Sequence, residues 1–380
     1  MTVKTITKEK APIPVAYLVL GAVVVLGAVL GIVRLALGLG ATTNLSNDYP
    51  WGLWIAFDFF AVPFSAGAFT LAAVLHIFNR KKYHGIAHLA LLAGFLGYLM
   101  VILVLVMDIN RWDQFFNVLL PWNWNLHSFM FEVAMSITLY FGVLVLELLP
   151  IVFGRRNWIA VQIVSQLIPF VAGVGILLST VHQSSIGAIF LILARRLHPL
   201  WWSPIIPLFF FTSAVFSGLS VAILLAIISW RALRMPAPMP LLSSLAKVAG
   251  IVMAIYLALK LGDLLLAGEV GLVFGSGAFS VLYLVEITIG VIVPMVIYFS
   301  RAQETEKGLL AGAICTLIGL AMNRATNAWF ALRAVPGATY FPSWIEIGIT
   351  VAAICAGILF FAVGLRNLPT LREGVLKEEH

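Results

Sequence analysis

The sequence predicts an all-α, polytopic membrane protein of ten transmembrane helices with both termini cytoplasmic. Three observations carry that prediction. Ten apolar stretches fill the 380 residues almost end to end, and each is long enough to supply the roughly 20 residues that a 30 Å hydrocarbon core requires. Charged residues make up 10% of the chain and apolar ones 62%, whereas soluble domains are about 25% charged. Of the 23 Lys+Arg, sixteen fall on one side of the alternating loops and four on the other, with Arg34, Lys260 and Arg324 inside spans. Basic loops face the cytoplasm.

Taken in order, the first span, 15–37, follows Lys4, Lys8 and Lys10. It is too long for a signal-peptide core and no clear small-x-small cleavage site follows, so it reads as a retained helix. Asp48-Tyr49-Pro50-Trp51 leads into span 53–78, with Asp58 about two turns in. Span 86–107 ends beside Asp108, with Arg111 one turn beyond; the connection from Asp108 to His127 carries Trp112, Trp122 and Trp124. Span 128–153 opens near Glu132, and span 159–181 ends at His182. After the connection His182 to Pro204, with Trp201 and Trp202, come 205–228, 245–267 (Asp263 near its end) and 279–299 (Glu286 two turns in). Span 309–332 holds Arg324 two turns from its end, and 344–365 precedes a cytoplasmic tail, 366–380.

Connections reach only about 20 residues, too short for a separate soluble domain, so 1–380 reads as a single membrane domain. The step from Asp108 to Glu132 echoes the step from Asp263 to Glu286. That repeat predicts two four-helix bundles, 51–193 (spans two to five) and 205–332 (spans six to nine), with the first and last spans peripheral.

The basic excess follows from loop topology and implies no nucleic-acid partner. Cys315 and Cys355 lie far apart within spans, so the chain cannot hold an iron–sulfur cluster alone. By the predicted alternation, Asp58, Asp108, Glu132, His182, Asp263, Glu286 and Arg324 all fall in the non-cytoplasmic half. Ionisable groups in a membrane are costly and mark function. Structural alternatives remain for several: Asp108 with Arg111 at i and i+3 could pair, Glu132 could serve the helix dipole, and Glu286 could pair with Arg324. The tryptophans suit either a headgroup belt or a docking face for a partner.

Carboxylates, a histidine and an arginine at the lipid edge suit a quinone, whose two oxygens need hydrogen-bond partners and a proton route. Asp58, Asp108, Arg111, Glu132 and His182 are the candidate quinone site, with His182 and Asp108 foremost. A haem b would need a facing pair, His76 with His88 or His127 with His182. An ion- or proton-coupled transporter is the rival function.

Several strings are more specific: Pro50-Trp51-Gly52-Leu53-Trp54-Ile55-Ala56-Phe57-Asp58, Asp108-Ile109-Asn110-Arg111, His182-Gln183-Ser184-Ser185-Ile186-Gly187, His198-Pro199-Leu200-Trp201, Arg324-Ala325-Thr326 and Tyr340-Phe341-Pro342-Ser343-Trp344. Together, over essentially the whole chain, they resemble the NrfD/polysulfide-reductase family of membrane subunits. The resemblance is strongest to its ten-helix HybB-like branch, which includes hydrogenase membrane subunits and DsrP-type subunits of sulfur-metabolism complexes. It implies a subunit in the cytoplasmic (inner) membrane with no redox cofactor of its own, exchanging electrons between menaquinone or ubiquinone and a ferredoxin-like iron–sulfur subunit on the non-cytoplasmic side. Further catalytic or cytochrome subunits would complete the complex. It also implies that the quinone pocket lies in the first bundle and that Asp263, Glu286 and Arg324 form a candidate proton path in the second.

Overall fold

A computed structural model describes residues 15–76, 79–154, 158–193, 196–332 and 339–368. The basic segment before residue 15, the predicted tail beyond 368 and the stretch 333–338 lie outside the described residues. Among those described the chain is helical without strands, and Leu197 and Leu332 form an isolated antiparallel bridge.

Ten helices are long and apolar enough to cross a membrane: α1 (Val15–Leu37), α2 (Leu53–Leu75), α3 (His84–Asp108), α4 (Phe129–Phe153), α5 (Ile159–Ile189), α6 (Ile206–Ala232), α7 (Met239–Leu266), α8 (Ala278–Phe299), α9 (Glu306–Phe330) and α10 (Trp344–Asn367). The chain is an all-α, multi-pass membrane protein, as the sequence predicts.

Hydrogen bonds between helix ends define two faces. On the basic face Tyr83 meets Ser244 at 2.5 Å, Ser243 donates to the Gln303 carbonyl at 2.8 Å, and Arg231 pairs with Glu306. On the aromatic face Ser343 donates to the Thr42 carbonyl at 2.7 Å and the His198 amide to the Ala331 carbonyl at 3.1 Å. Helix α2 packs on α3, α3 on α4, α4 on α5, and α5 returns to α2; α6, α7, α8 and α9 follow the same order, and α2 meets α6. The α1–α10 pair lies against α3.

Helix α2 is broken at Val62–Pro63, where proline lacks the amide needed for the helical ladder. Lipid offers no replacement partner, and the Gln183 amide of α5 supplies one by donating to the Val62 carbonyl at 3.2 Å. Helix α5 runs to Ile189, well past the predicted end at 181. The polar His-Gln-Ser-Ser string reads as a helix end, yet His182, Gln183 and Ser185 find partners on neighbouring helices, so the helix continues through it. Helix α7 begins at Met239, ahead of the expected 245, because Pro238 and Pro240 suit a helix start.

Helices α8 and α9 each contain a π-helical turn, Thr288–Ile292 and Thr326–Phe330. Just after Glu286 the two helices cross with almost no separation: a Cβ built on Gly319 would collide with the Gly290 Cα. Only glycines permit that crossing.

Candidate functional site

Helices α2, α3, α4 and α5 enclose a cavity of about 90 Å³ near the aromatic face. Its walls are apolar, among them Ile55, Val101, Leu105, Ile137 and Ile186, and Asp58 is the one ionisable group lining it. Asp58 is buried and its Oδ1 has no hydrogen-bond partner. Met130 lines the cavity and is itself exposed, so the space reaches the outer surface of the helices.

His182 lies one helical turn deeper than Ile186, fully buried. Its Nδ1 is 2.7 Å from Ser136 Oγ, and its Nε2 has no partner. Ser136 also donates to the Val133 carbonyl at 2.9 Å. A serine hydroxyl has a single proton, so with that proton on Val133 the serine accepts from Nδ1–H. In that arrangement Nε2 is the bare, proton-accepting nitrogen. Tyr98 and Tyr140, buried with ring centroids 5.1 Å apart, close the space behind the imidazole, with Tyr98 5.6 Å from it.

At the aromatic end of α3, Asp108 has an unpartnered Oδ1. Its cationic neighbour is Arg34 of α1, not Arg111. Arg34 is buried, donates to the Ile109 carbonyl at 2.9 Å, and leaves Nε and Nη1 without partners. The backbone turns extended at Ile109, so the helical i, i+3 geometry that would bring Arg111 to Asp108 does not exist. Arg111 is instead solvent-exposed and holds Asp113 through two 3.1 Å hydrogen bonds. Those bonds keep the Asp113 carboxyl below its ordinary range.

Glu132 is exposed in the first turn of α4 and accepts from Ser185 of α5 at 2.5 Å. On α10 the buried carboxylate of Glu346 gathers Tyr340 at 2.5 Å, the Ser343 amide at 2.8 Å and the Asn44 amide at 3.1 Å. Tyr340 in turn accepts from the Leu53 amide at 3.0 Å. Its ring stands on Gly52, where any Cβ would collide with it. Burial first, and then the Glu346 hydrogen bond, raise the Tyr340 phenol above its usual range.

A second polar cluster occupies α6–α9. Glu286 accepts from Trp201 Nε1 at 2.9 Å and from Asn323 Nδ2 at 2.8 Å. Arg324 donates to Asn323 Oδ1 and to Ser213 Oγ, both at 2.7 Å, with its guanidinium 3.9 Å over the Phe210 ring. Asn323 thus stands between the glutamate and the arginine. Asp263 accepts from Ser203 at 2.7 Å.

The tryptophans divide. Trp112, Trp122 and Trp124 are exposed, Trp122 by 78%. Trp201 is buried against Glu286, because an indole N–H inside the membrane needs an acceptor, so it offers no docking surface. Trp51 packs edge-on against Phe59 and Phe190, and Trp202 donates to the Phe190 carbonyl at 3.0 Å; both serve internal packing. Sequence reasoning missed Ser136, Tyr98, Asn323 and Glu346 and gave no role to Arg34 or Lys260. Only the two cations, as charges inside spans, left a signal.

A further apolar cleft of about 880 Å³ has Tyr17 and Arg366 among its lining residues. Neither Asp58 nor His182 lines it, although Phe57 beside Asp58 does, and its apolar walls suit lipid contact rather than proton chemistry.

The sequence profile of the polysulphide reductase NrfD family matches residues 41–327. This chain belongs to that family. It is 31% identical over 359 residues, 93% of this chain and 92% of the relative, to the probable Ni/Fe-hydrogenase 2 b-type cytochrome subunit of Escherichia coli strain K12. It is 30% identical to the menaquinone reductase integral membrane subunit of Nitratidesulfovibrio vulgaris strain Hildenborough, covering 88% of this chain and 86% of that one. A putative dimethyl sulfoxide reductase membrane subunit of Halobacterium salinarum is 25% identical, with 89% of each covered. These NrfD-family relatives are named as membrane or cytochrome subunits, a role consistent with a chain of ten spans and short connections.

Proposed function

We propose that this chain is the quinone-reactive membrane subunit of a multi-subunit respiratory oxidoreductase, without catalytic activity alone. It exchanges electrons between menaquinone or ubiquinone and a ferredoxin-like iron–sulfur subunit docked on the aromatic face, which is the non-cytoplasmic face. Two unpartnered polar groups carry this reading: Asp58 Oδ1, which lines an otherwise apolar cavity, and His182 Nε2, one helical turn below the cavity-lining Ile186. A carboxyl group and an imidazole are the acid–base pair that a two-proton carrier needs at its two oxygens. The apolar walls receive the ring, and the opening at Met130 leaves the isoprenoid tail a way out.

In the quinol-oxidising direction His182 Nε2 accepts one hydroxyl proton and Asp58 the other as two electrons leave for the partner's cluster. In the reverse direction both groups return protons to the reduced oxygens. Asp108 and Arg34, nearer the aromatic face, lead protons to the water on that side. The exposed tryptophans Trp112, Trp122 and Trp124 supply the docking face. Asp263, Glu286 and Arg324 are the proton path of the second helix set.

The E. coli relative's name raises haem b as a second reading. Haem b held by two histidines needs a facing pair. Among the described residues His127 is exposed in the loop after α3, and His182 has Nδ1 committed to Ser136. An exposed His127 and a buried His182 are no facing pair, so this donor set fits quinone better; the His76 side chain of the other candidate pair, His76 with His88, lies outside the described residues.

His182→Ala tests the proposal in the purified complex. Quinone turnover is lost while the partner subunits still assemble and keep their dye-linked activity. Normal turnover by an assembled variant overturns the site. A haem b absorption band from the isolated chain, or sodium-coupled transport by it, would instead favour the rival readings.

A further inference from the structure

We infer that the α6–α9 set contains a water-bridged proton-transfer site in which Lys260 is the mobile-proton carrier between Asp263 and Glu286. The inference deepens the proposed proton path and rests on that reading. Lys260 is buried, one turn deeper in the membrane than Asp263 on the same helix. Its ammonium lies 4.4 Å from the Phe209 ring centroid and 6.0 Å from that of Tyr283, and it makes no ion pair among the described residues. Its charged neighbours are Glu286, Asp263 and Glu269, with Arg324 across the cluster.

A purely structural cluster of buried charges places opposite charges in contact, since separating them leaves each desolvated and unpaired. Here neutral groups intervene. Both Glu286 oxygens are occupied by Trp201 and Asn323; Arg324 Nη1 and Nη2 donate to Asn323 and Ser213, and its Nε has no partner. Two small cavities fill what remains. One, about 10 Å³, is lined by Lys260, Trp201, Tyr256, Asn323, Arg324 and Asn327. The other, about 20 Å³, is lined by Glu286, Tyr256, Ser213 and Asn323 and by Gly290 and Gly319 at the helix crossing.

A buried water needs roughly 10–15 Å³ of such volume and two to four polar partners. Each cavity meets both conditions for about one water, and Tyr256 and Asn323 border both. Lys260 and Glu286 therefore stand at opposite ends of a two-water chain. A lysine can lose its proton when buried, which an arginine cannot. In the transfer an N–H bond of the Lys260 ammonium breaks and an O–H bond forms on the Glu286 carboxylate through the waters, leaving two neutral groups. A proton taken up from the water on the aromatic face, relayed by way of Asp263, then restores the ammonium. No electrons move in this step. Two resident cations make the site hostile to sodium, which leaves the proton as cargo.

Beyond Glu286 a hydroxyl stripe continues towards the basic face. Ser213, Ser217 and Ser220 occupy one side of α6 at i, i+4 and i+7, all buried, and Ser220 meets Tyr298 at 3.0 Å. The π-helical turn after Glu286 adjoins this stripe, and such turns recur at functional sites.

The test reconstitutes the whole complex in vesicles carrying a pH-sensitive dye and records quinone turnover together with proton movement. Lys260→Met is expected to keep quinone turnover and lose the protons moved beyond those of the quinone reaction itself. Lys260→Arg is expected to lose them equally, because it keeps the charge but not the exchangeable proton. Rescue by Lys260→Arg, or unchanged proton movement in Lys260→Met, overturns the inference, as does a wild-type complex that turns over quinone without extra protons. Should the wild type show no quinone turnover, the quinone reading falls separately. Proton flux under an imposed potential, in vesicles bearing the wild-type or Lys260→Arg complex, then decides the role of Lys260: equal flux in the two refutes it.

Discussion

Ser136 Oγ stands 2.7 Å from His182 Nδ1 and 2.9 Å from the Val133 carbonyl, so a hydroxyl whose proton goes to that carbonyl accepts from Nδ1–H and leaves Nε2 as the basic nitrogen. Ser136→Ala removes that control and leaves a buried ring nitrogen unsatisfied, at a cost of roughly 1–3 kcal/mol. The expected result is a lower kcat for quinone at little changed KM, with recovery in Ser136→Thr. Steady-state kinetics of the assembled complex checks it.

Arg34 lies on a peripheral helix close enough to Asp108 for their opposite charges to act on each other, and loss of either leaves the other without that charge in a largely desolvated place. Arg34→Met should lower the stability of the protein in detergent by roughly 1–3 kcal/mol. Arg34→Met with Asp108→Asn should recover much of that loss. Thermal unfolding of the four combinations measures the coupling, and strict additivity would show that the two do not interact.

Gly52 has a tyrosine ring where any side chain would begin. Gly52→Ala forces Tyr340 off the Leu53 amide and away from Glu346, with overpacking of typically 1–3 kcal/mol. Lower yield and a reduced melting temperature are expected. Gly40→Ala, with nothing within 4 Å of the new methyl, is the control.

Arg111 and Asp113 pair in open solvent, where such contacts contribute little. Arg111→Ala should leave both melting temperature and quinone turnover as they are. A large loss of turnover would return Arg111 to the site by way of a partner-induced movement.

Trp122 extends from a connection that also exposes Phe115, Leu119 and Leu126. Trp122→Ser should reduce co-purification of the iron–sulfur partner and leave the thermal stability of this chain unchanged. Equal recovery of the partner would remove the tryptophan from the docking face.

Hydropathy made the ten crossings legible, because span length is imposed by the bilayer rather than by neighbours. The acidic residues and His182 were legible for a related reason: an ionisable group in hydrocarbon contrasts with everything around it. Partnership was not. Arg111 is near Asp108 in sequence, but the extended backbone at Ile109 separates them, and Arg34 arrives from 74 positions earlier. Trp201 has the composition of an interfacial anchor, and only the packing of α8 shows its acceptor. Ser136 resembles any small residue on a crowded helix until α5 is placed beside it. The His-Gln-Ser-Ser string reads as a stop because its polarity is visible in the sequence and its partners on α2 and α4 are not.

The two π-helical turns carry a consequence for how this chain compares with its relatives. A π turn holds about one residue more than an α turn, so residues beyond it are out of phase, by about 100° around the axis, with those before it. Deleting one residue within Thr288–Ile292 would leave α8 long enough to cross the membrane and just as apolar. It would nevertheless turn Glu286 and Tyr298 relative to each other, so that the carboxylate and the phenol no longer address the same side. A single-residue gap in an alignment at this place is thus a change of facing rather than of length, and hydropathy cannot register it.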